Sequence, residues 1–230
     1  MTGFFIMKIK IFISCLIAFA LVGCGGGGSD APSTPTTVTF PFKAAYDSFI
    51  RKSSSANFSI SGNCNGSGSE TWGAPVASNL YGATYSRTRI MTLVYSNCTG
   101  SGVTTTNAYY DNNFNLLAVV ADNGNYSERV VINQRPTNVK VGDTMQLATI
   151  KIYSNSFKNI LLNNANLSFT IENDSNSSVI VNYVSQFYKS SGVLEQTAQE
   201  RIKLTSSGEL IPVSYRIDNP SGQYEIWTYR

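Results

Sequence analysis

Leu167-Ser168-Phe169-Thr170-Ile171-Glu172 alternates apolar and polar residues one by one. A period of two puts every apolar side chain on one face of an extended strand and every polar one on the other. A second stretch repeats the pattern, with Ile211, Val213, Tyr215 and Ile217 alternating with Pro212, Ser214 and Arg216. Both predict a sheet with one buried face. Turn-forming clusters cut the chain around them at hairpin spacing: Asp111-Asn112-Asn113, Asp122-Asn123-Gly124-Asn125, Asn173-Asp174-Ser175-Asn176, Ser190-Ser191-Gly192, Ser206-Ser207-Gly208 and Asp218-Asn219-Pro220-Ser221-Gly222. They delimit roughly ten strands between Phe58 and Tyr229. The expected fold is mainly β, an antiparallel meander forming a curled sheet, a barrel or a sandwich.

One helix precedes the strands. Over Pro41–Lys52, residues Phe42, Ala45, Tyr46, Phe49 and Ile50 fall at i, i+3, i+4, i+7 and i+8, an amphipathic stripe. The chain has 230 residues, 42% of them hydrophobic and 12% aromatic, enough for one core of ordinary size. A single β-rich domain over residues 40–230 is the simplest division. A transmembrane barrel is the sharper alternative, but Val103 to Tyr110 carries Thr and Asn on both faces, which lipid would not tolerate.

Composition removes several functions. There is no histidine, so Ser-His-Asp and Cys-His nucleophile systems and histidine metal sites are excluded. The seventeen Lys and Arg include Lys8 and Lys10; without those two, fifteen bases face fourteen acids. That near-neutral balance leaves no electrostatic footprint for nucleic acid.

The N-terminus reads as an address. Met7-Lys8-Ile9-Lys10 is a short basic region, and the apolar run from Ile11 to Val22 has signal-peptide length, too short to span a bilayer. It ends in Leu21-Val22-Gly23-Cys24, which resembles the lipobox of bacterial lipoproteins. The resemblance implies a signal peptide over residues 1–23, cleavage before Cys24 and acylation of Cys24, with two or three chains holding the protein to a membrane. Gly25 stands where Asp would retain a Gram-negative lipoprotein at the inner membrane, so the resemblance implies the outer membrane. Gly25 to Gly28 and the Ser/Thr/Pro stretch after them read as a flexible linker over residues 24–39, with a reach of roughly 20 Å.

Cys15 lies in the signal and Cys24 is assigned to lipid, so Cys64 and Cys98 remain. In an oxidising compartment two similarly flanked cysteines most simply form one disulfide.

Candidate chemistry is sparse. Asp111, Asn113 and Asn115 occupy the first, third and fifth places of a calcium loop, but Leu116 replaces the required glycine, and an Asx-rich hairpin turn is expected instead. Gly142-Asp143-Thr144 resembles the aspartic-protease triplet only until Met145, and reads as a strand-entry turn. Glu195 and Glu200 lie on one predicted strand but on opposite faces. Glu200 shares its parity with Leu194, Ala198, Ile202 and Leu204, so it should be buried, and paired with Arg216 or Lys151. Trp72, Tyr81, Tyr85, Tyr109, Tyr110, Trp227 and Tyr229 are expected to fill the core, with a sugar-stacking surface as the alternative. No catalytic residue, metal site or cofactor is assigned. The expected function is a lipid-anchored envelope protein acting as a non-enzymatic binding or scaffold module, toward envelope glycan, lipid or another protein. A carboxylate-dependent polysaccharide hydrolase is the alternative. One helix before a meander also resembles, in element order alone, the lipoprotein carriers of the LolA/LolB kind.

Overall fold

The computed structural model describes residues 38–230; the expected signal peptide, Cys24 and the expected linker up to Thr37 lie outside them. The expected helix is α1, Phe42–Arg51, and it buries Phe42, Ala45, Tyr46 and Ile50 from the predicted stripe. Thirteen strands follow: β1 (Ser54–Gly62), β2 (Gly66–Trp72), β3 (Val76–Ala77), β4 (Tyr85–Tyr95), β5 (Gly102–Tyr110), β6 (Leu116–Ala121), β7 (Tyr126–Ile132), β8 (Thr144–Tyr153), β9 (Leu161–Ser175), β10 (Ser178–Lys189), β11 (Leu194–Thr205), β12 (Leu210–Asp218) and β13 (Tyr224–Tyr229).

Ten strands is too low a count, and the sheet is not open. Every neighbouring pair from β4 to β13 is antiparallel and hairpin-connected. The last strand then pairs with the first, Phe58 opposite Tyr229 and Ile60 opposite Trp227. The remaining gap is sealed by β2 against β4, with Gly66 opposite Tyr95 and Trp72 opposite Arg89. Twelve strands therefore close into a barrel, and the two-residue β3 sits on the edge of β4 beyond β2. Closure removes the unpaired edges that an open meander would expose.

β2 lacks the pattern that marks the other strands: Gly66-Ser67-Gly68-Ser69-Glu70-Thr71-Trp72 has no apolar alternation. Its glycines are required by the closed geometry. A side chain at Gly68 would collide with the Phe58 ring and the Thr92 carbonyl, and one at Gly66 with the Val94 carbonyl.

The barrel interior is an apolar core. Trp227 is wholly buried, its ring stacked 4.9 Å from Phe58 and tilted against Tyr215 at 4.9 Å. From α1, Phe42 packs edge-on to Phe169 at 5.2 Å and beside Tyr183, so the helix plugs one end of the barrel. The outer wall carries ion pairs instead: Arg201–Glu172, Lys203–Asp174, Lys158–Glu128 and Arg216–Asp218. An outer wall bearing ion pairs around a mainly apolar interior is the reverse of a membrane barrel. Among the described residues no helix is long and apolar enough to cross a membrane.

At the end opposite α1, Cys64 and Cys98 form the expected disulfide. It joins the β1–β2 turn to the β4–β5 turn, where the Asn65 amide also donates to Asn97 Oδ1 at 2.6 Å. The bond therefore clasps the β2–β4 seam that closes the barrel. Reduction, or Cys98→Ser with Cys64→Ser, should cost about 3–4 kcal/mol by the loop-entropy account. Urea denaturation with and without reductant measures it. Coincident curves would show that the seam does not depend on the clasp.

Candidate functional site

The α1 end holds a cavity of about 550 Å³. Its walls come from four places: Ala45, Ser48 and Phe49 of α1, residues 52–56 leading into β1, Glu70 and Trp72 of β2, and the turn at 207–212 between β11 and β12. Helix periodicity puts Ser48 and Phe49 on the side of α1 next to its core face, so one turn of helix supplies both a plug and a wall. Pro41 packs against Gly208 and brings the start of α1 to the cavity rim.

Arg87 fixes this architecture. It is 1% exposed and its Nη2 donates to the Lys52 carbonyl at 2.6 Å and to Ser54 Oγ at 3.3 Å. Its Nε donates to the Gly73 carbonyl at 2.8 Å. One side chain thus ties the α1–β1 link to the segment after β2. Its guanidinium also stacks near Trp72 and Phe49, at 4.9 and 5.2 Å. Burial lowers its pKa, partly offset by surrounding tyrosines and Glu70.

Behind the cavity lies a buried charged group. Arg89 donates from Nε and Nη2 to the same oxygen of Glu70, Oε2, at 2.9 and 2.5 Å, and both side chains are under 10% exposed. Burial opposes the Arg89 charge, but Glu70 outweighs it and raises the pKa. Glu200 of β11 and Tyr229 of β13 face the same pair from across the barrel. Oε2 of Glu200 and the Tyr229 hydroxyl are sealed from solvent and have no hydrogen-bond partner. Burial, then the charge of Glu70, pushes Glu200 up to about 8, with Arg89 opposing. Burial also lifts Tyr229 well above its ordinary value, with Glu70 and Glu200 adding to it.

The parity argument for Glu200 is sound, since it stands opposite inward-facing Tyr183 and Tyr215. The expected partners are wrong. Arg216 points outward and bonds Asp218 at 2.6–2.9 Å, and Lys151 lies across from Glu128 on β7. Strand parity fixes a face; it does not choose which strand lies opposite.

The pH consequence follows from the direction of the shift. Glu200 titrates higher in the folded protein than in an unfolded chain, near 4.3 for a free Glu. The native state therefore keeps a proton that the unfolded state has released. Its stabilising contribution is complete below about pH 4 and declines as pH rises toward 8. Glu200→Gln removes that decline. The variant should match wild type near pH 4.5 and exceed it by about 1–3 kcal/mol at pH 8. Thermal unfolding across that range checks it, and parallel profiles would show that Glu200 carries no such penalty.

The other candidates resolve as follows. Asp111 Oδ1 accepts the amides of Asn113 and Asn115, both at 2.8 Å, and Oδ2 accepts from Asn115 Nδ2, an Asx turn as read. Asp143 Oδ2 accepts the Lys140 amide at 2.9 Å just before β8, the strand-entry turn. The aromatic residues separate: Tyr110 and Trp227 are core, Trp72 lines the cavity, and Tyr81 and Tyr109 pack together outside the barrel at 4.8 Å.

Glu70, Arg87 and Arg89 were not singled out from the sequence. A signal for the arginines exists: Tyr85, Arg87, Arg89, Met91, Leu93 and Tyr95 share one parity. It is blurred because Ile90 and Val94 on the opposite face are also apolar, yet 46% and 55% exposed. Glu70 is hidden in the glycine-serine stretch. No family model, curated protein or solved structure matches the chain.

Proposed function

We propose that the protein is a lipid-anchored envelope protein whose barrel is a non-enzymatic binding module, with the cavity beside α1 as its ligand site. The observation that carries this reading is the cavity itself, about 550 Å³, with polar and aromatic walls beside the apolar core. That size and mixed lining suit a small-molecule site. The lipobox-like Cys24 lies fourteen residues before Val38, and the chain enters the fold at α1, the cavity end. Acylation at Cys24 would therefore tether the protein by the end that carries the cavity.

Two measurements test this. A palmitate analogue should label the wild type and not Cys24→Ser; equal labelling would reject the anchor. Separately, a polysaccharide or lipid fraction of the envelope should raise the melting temperature of the protein through selective binding to its folded state. Ser48→Leu, which puts a bulky apolar side chain into the cavity wall, should lose that rise. A fraction-independent melting temperature, or an equal rise in Ser48→Leu, would reject the binding site.

A second reading, a carboxylate-dependent hydrolase, is favoured by one observation. Glu200 keeps its proton to about pH 8 beside a carboxylate that is paired with Arg89, the division of roles a glycosidase needs. Against it, Glu70 lines the cavity and Glu200 does not. Release of reducing sugar from envelope polysaccharide, lost in Glu200→Gln, would establish the hydrolase and overturn the binding-only reading.

A further inference from the structure

We infer that the cavity beside α1 takes an uncharged saccharide chain, recognised by the Trp72 and Phe49 rings and by the Glu70 and Glu209 carboxylates; this rests on the binding-module reading above. Three observations select that chemistry.

The first is hydroxyl and carboxylate density. Ser48, Ser53, Ser54, Ser55 and Ser207 all line the cavity, with Glu70 at its inner wall and Glu209 on its rim. Both Arg89 donors go to Oε2 of Glu70, so Oε1 accepts no hydrogen bond from the protein. A carboxylate oxygen without a donor, among serine hydroxyls, is an acceptor for ligand O–H groups.

The second is the absence of available positive charge at the walls. Arg87 donates to two carbonyls and a serine and its remaining Nη1 is sealed from solvent, while Arg89 is paired with Glu70. Lys52 is the one cation among the lining residues, beside Glu209, and Glu70 is already balanced by Arg89. An acidic sugar, a phosphate or an anionic headgroup would find no guanidinium to pair with there.

The third is the aromatic pair. Trp72 and Phe49 both line the cavity, and Arg87 holds each ring in place from behind. Rigid aromatic faces suit the apolar C–H faces of a pyranose while the carboxylates and serines take its hydroxyls. A lipid acyl chain uses none of those polar groups, and burying them against it without partners would be costly.

Trp72 also supplies the readout. The chain has two tryptophans, and Trp227 is wholly buried between Phe58 and Tyr215. A ligand in the cavity should therefore change the emission of Trp72. The purified full chain is titrated with tetra-N-acetylchitotetraose and maltotetraose, both neutral, with trigalacturonate, and with phosphatidylglycerol vesicles. At least one neutral oligomer should give a saturable change, and trigalacturonate should bind about tenfold more weakly or not at all. Glu209→Ala, an exposed rim position, should weaken the neutral oligomer about fivefold. Ser48→Leu should abolish its binding, with both variants keeping the wild-type circular dichroism and melting temperature. Trp72→Phe should lose the emission change while calorimetry still detects weakened binding.

If both neutral oligomers fail while an envelope fraction still raises the melting temperature in a Ser48-dependent manner, the ligand class is wrong and the binding site stands. Tighter binding of trigalacturonate or the vesicles overturns the inference in the same way. Should a neutral oligomer bind Ser48→Leu and Glu209→Ala as it binds wild type, its site is elsewhere. If nothing produces a Ser48-dependent response, the binding-module reading falls with it.

Discussion

Arg89→Met should destabilise the barrel by about 3–5 kcal/mol at neutral pH, because it leaves Glu70 buried without its counter-charge. The cost arises from the stranded carboxylate more than from the lost attraction. Glu70 is 7% exposed, so its charge would have little solvent to replace the arginine. Two controls separate these contributions. Glu70→Leu in the Arg89→Met background should restore most of the stability, since replacing both members of a buried pair by apolar groups is often neutral. Glu70→Leu alone should likewise be costly, since it strands the Arg89 guanidinium. Urea denaturation of the single and double variants at pH 7.5 checks both. If the double variant is as unstable as Arg89→Met, the arginine contributes through its packing on Trp72, 5.4 Å away, and not through Glu70.

Trp227→Ala is expected to cost about 3–5 kcal/mol, the usual range for removing a large buried ring. Its side chain is the largest of those fully buried and bridges Phe58 of β1 and Tyr215 of β12. Its strand, β13, is the one that meets β1 to close the barrel, so the cavity would open beside the closing seam. The variant also removes the Nε1–H donated to Glu225 at 3.3 Å, leaving that buried carboxylate the Tyr95 hydroxyl at 3.0 Å. Trp227→Phe keeps most of the volume and loses the hydrogen bond, and should cost about 1–2 kcal/mol. Hydrogen exchange should report the loss first at the β1–β13 pairs, Phe58 to Gly62. Uniform loss across all strands would mean that the seam is no weaker than the rest of the barrel.

Local sequence decided which residues extend and which face they bury. Alternation at Leu167–Glu172 and Ile211–Ile217 marks strand faces because side chains on a strand point to opposite sides in turn. The stripe through Phe42, Ala45, Tyr46, Phe49 and Ile50 marks α1 for the corresponding reason at helical spacing. Cys64 and Cys98 are the pair left for a disulfide, and the missing histidine narrows the chemistry through composition alone. Apart from that composition, these are short-range properties, and residues within a few positions of one another suffice to read them.

Tertiary structure alone decided that the sheet closes, that the glycine-serine stretch at residues 66–72 is a strand, and that Glu70, Arg89 and Glu200 converge. Backbone hydrogen bonds between strands carry no record of their partner in the local sequence, and any strand of suitable parity could in principle lie alongside another. β2 becomes a strand because β1 and β4 offer it a paired site on both sides, where glycine is the one residue the Phe58 ring and the β4 backbone leave room for. The charged group behind the cavity joins residues 130 positions apart, and it exists only because closing the barrel brings β2, β4, β11 and β13 around one interior.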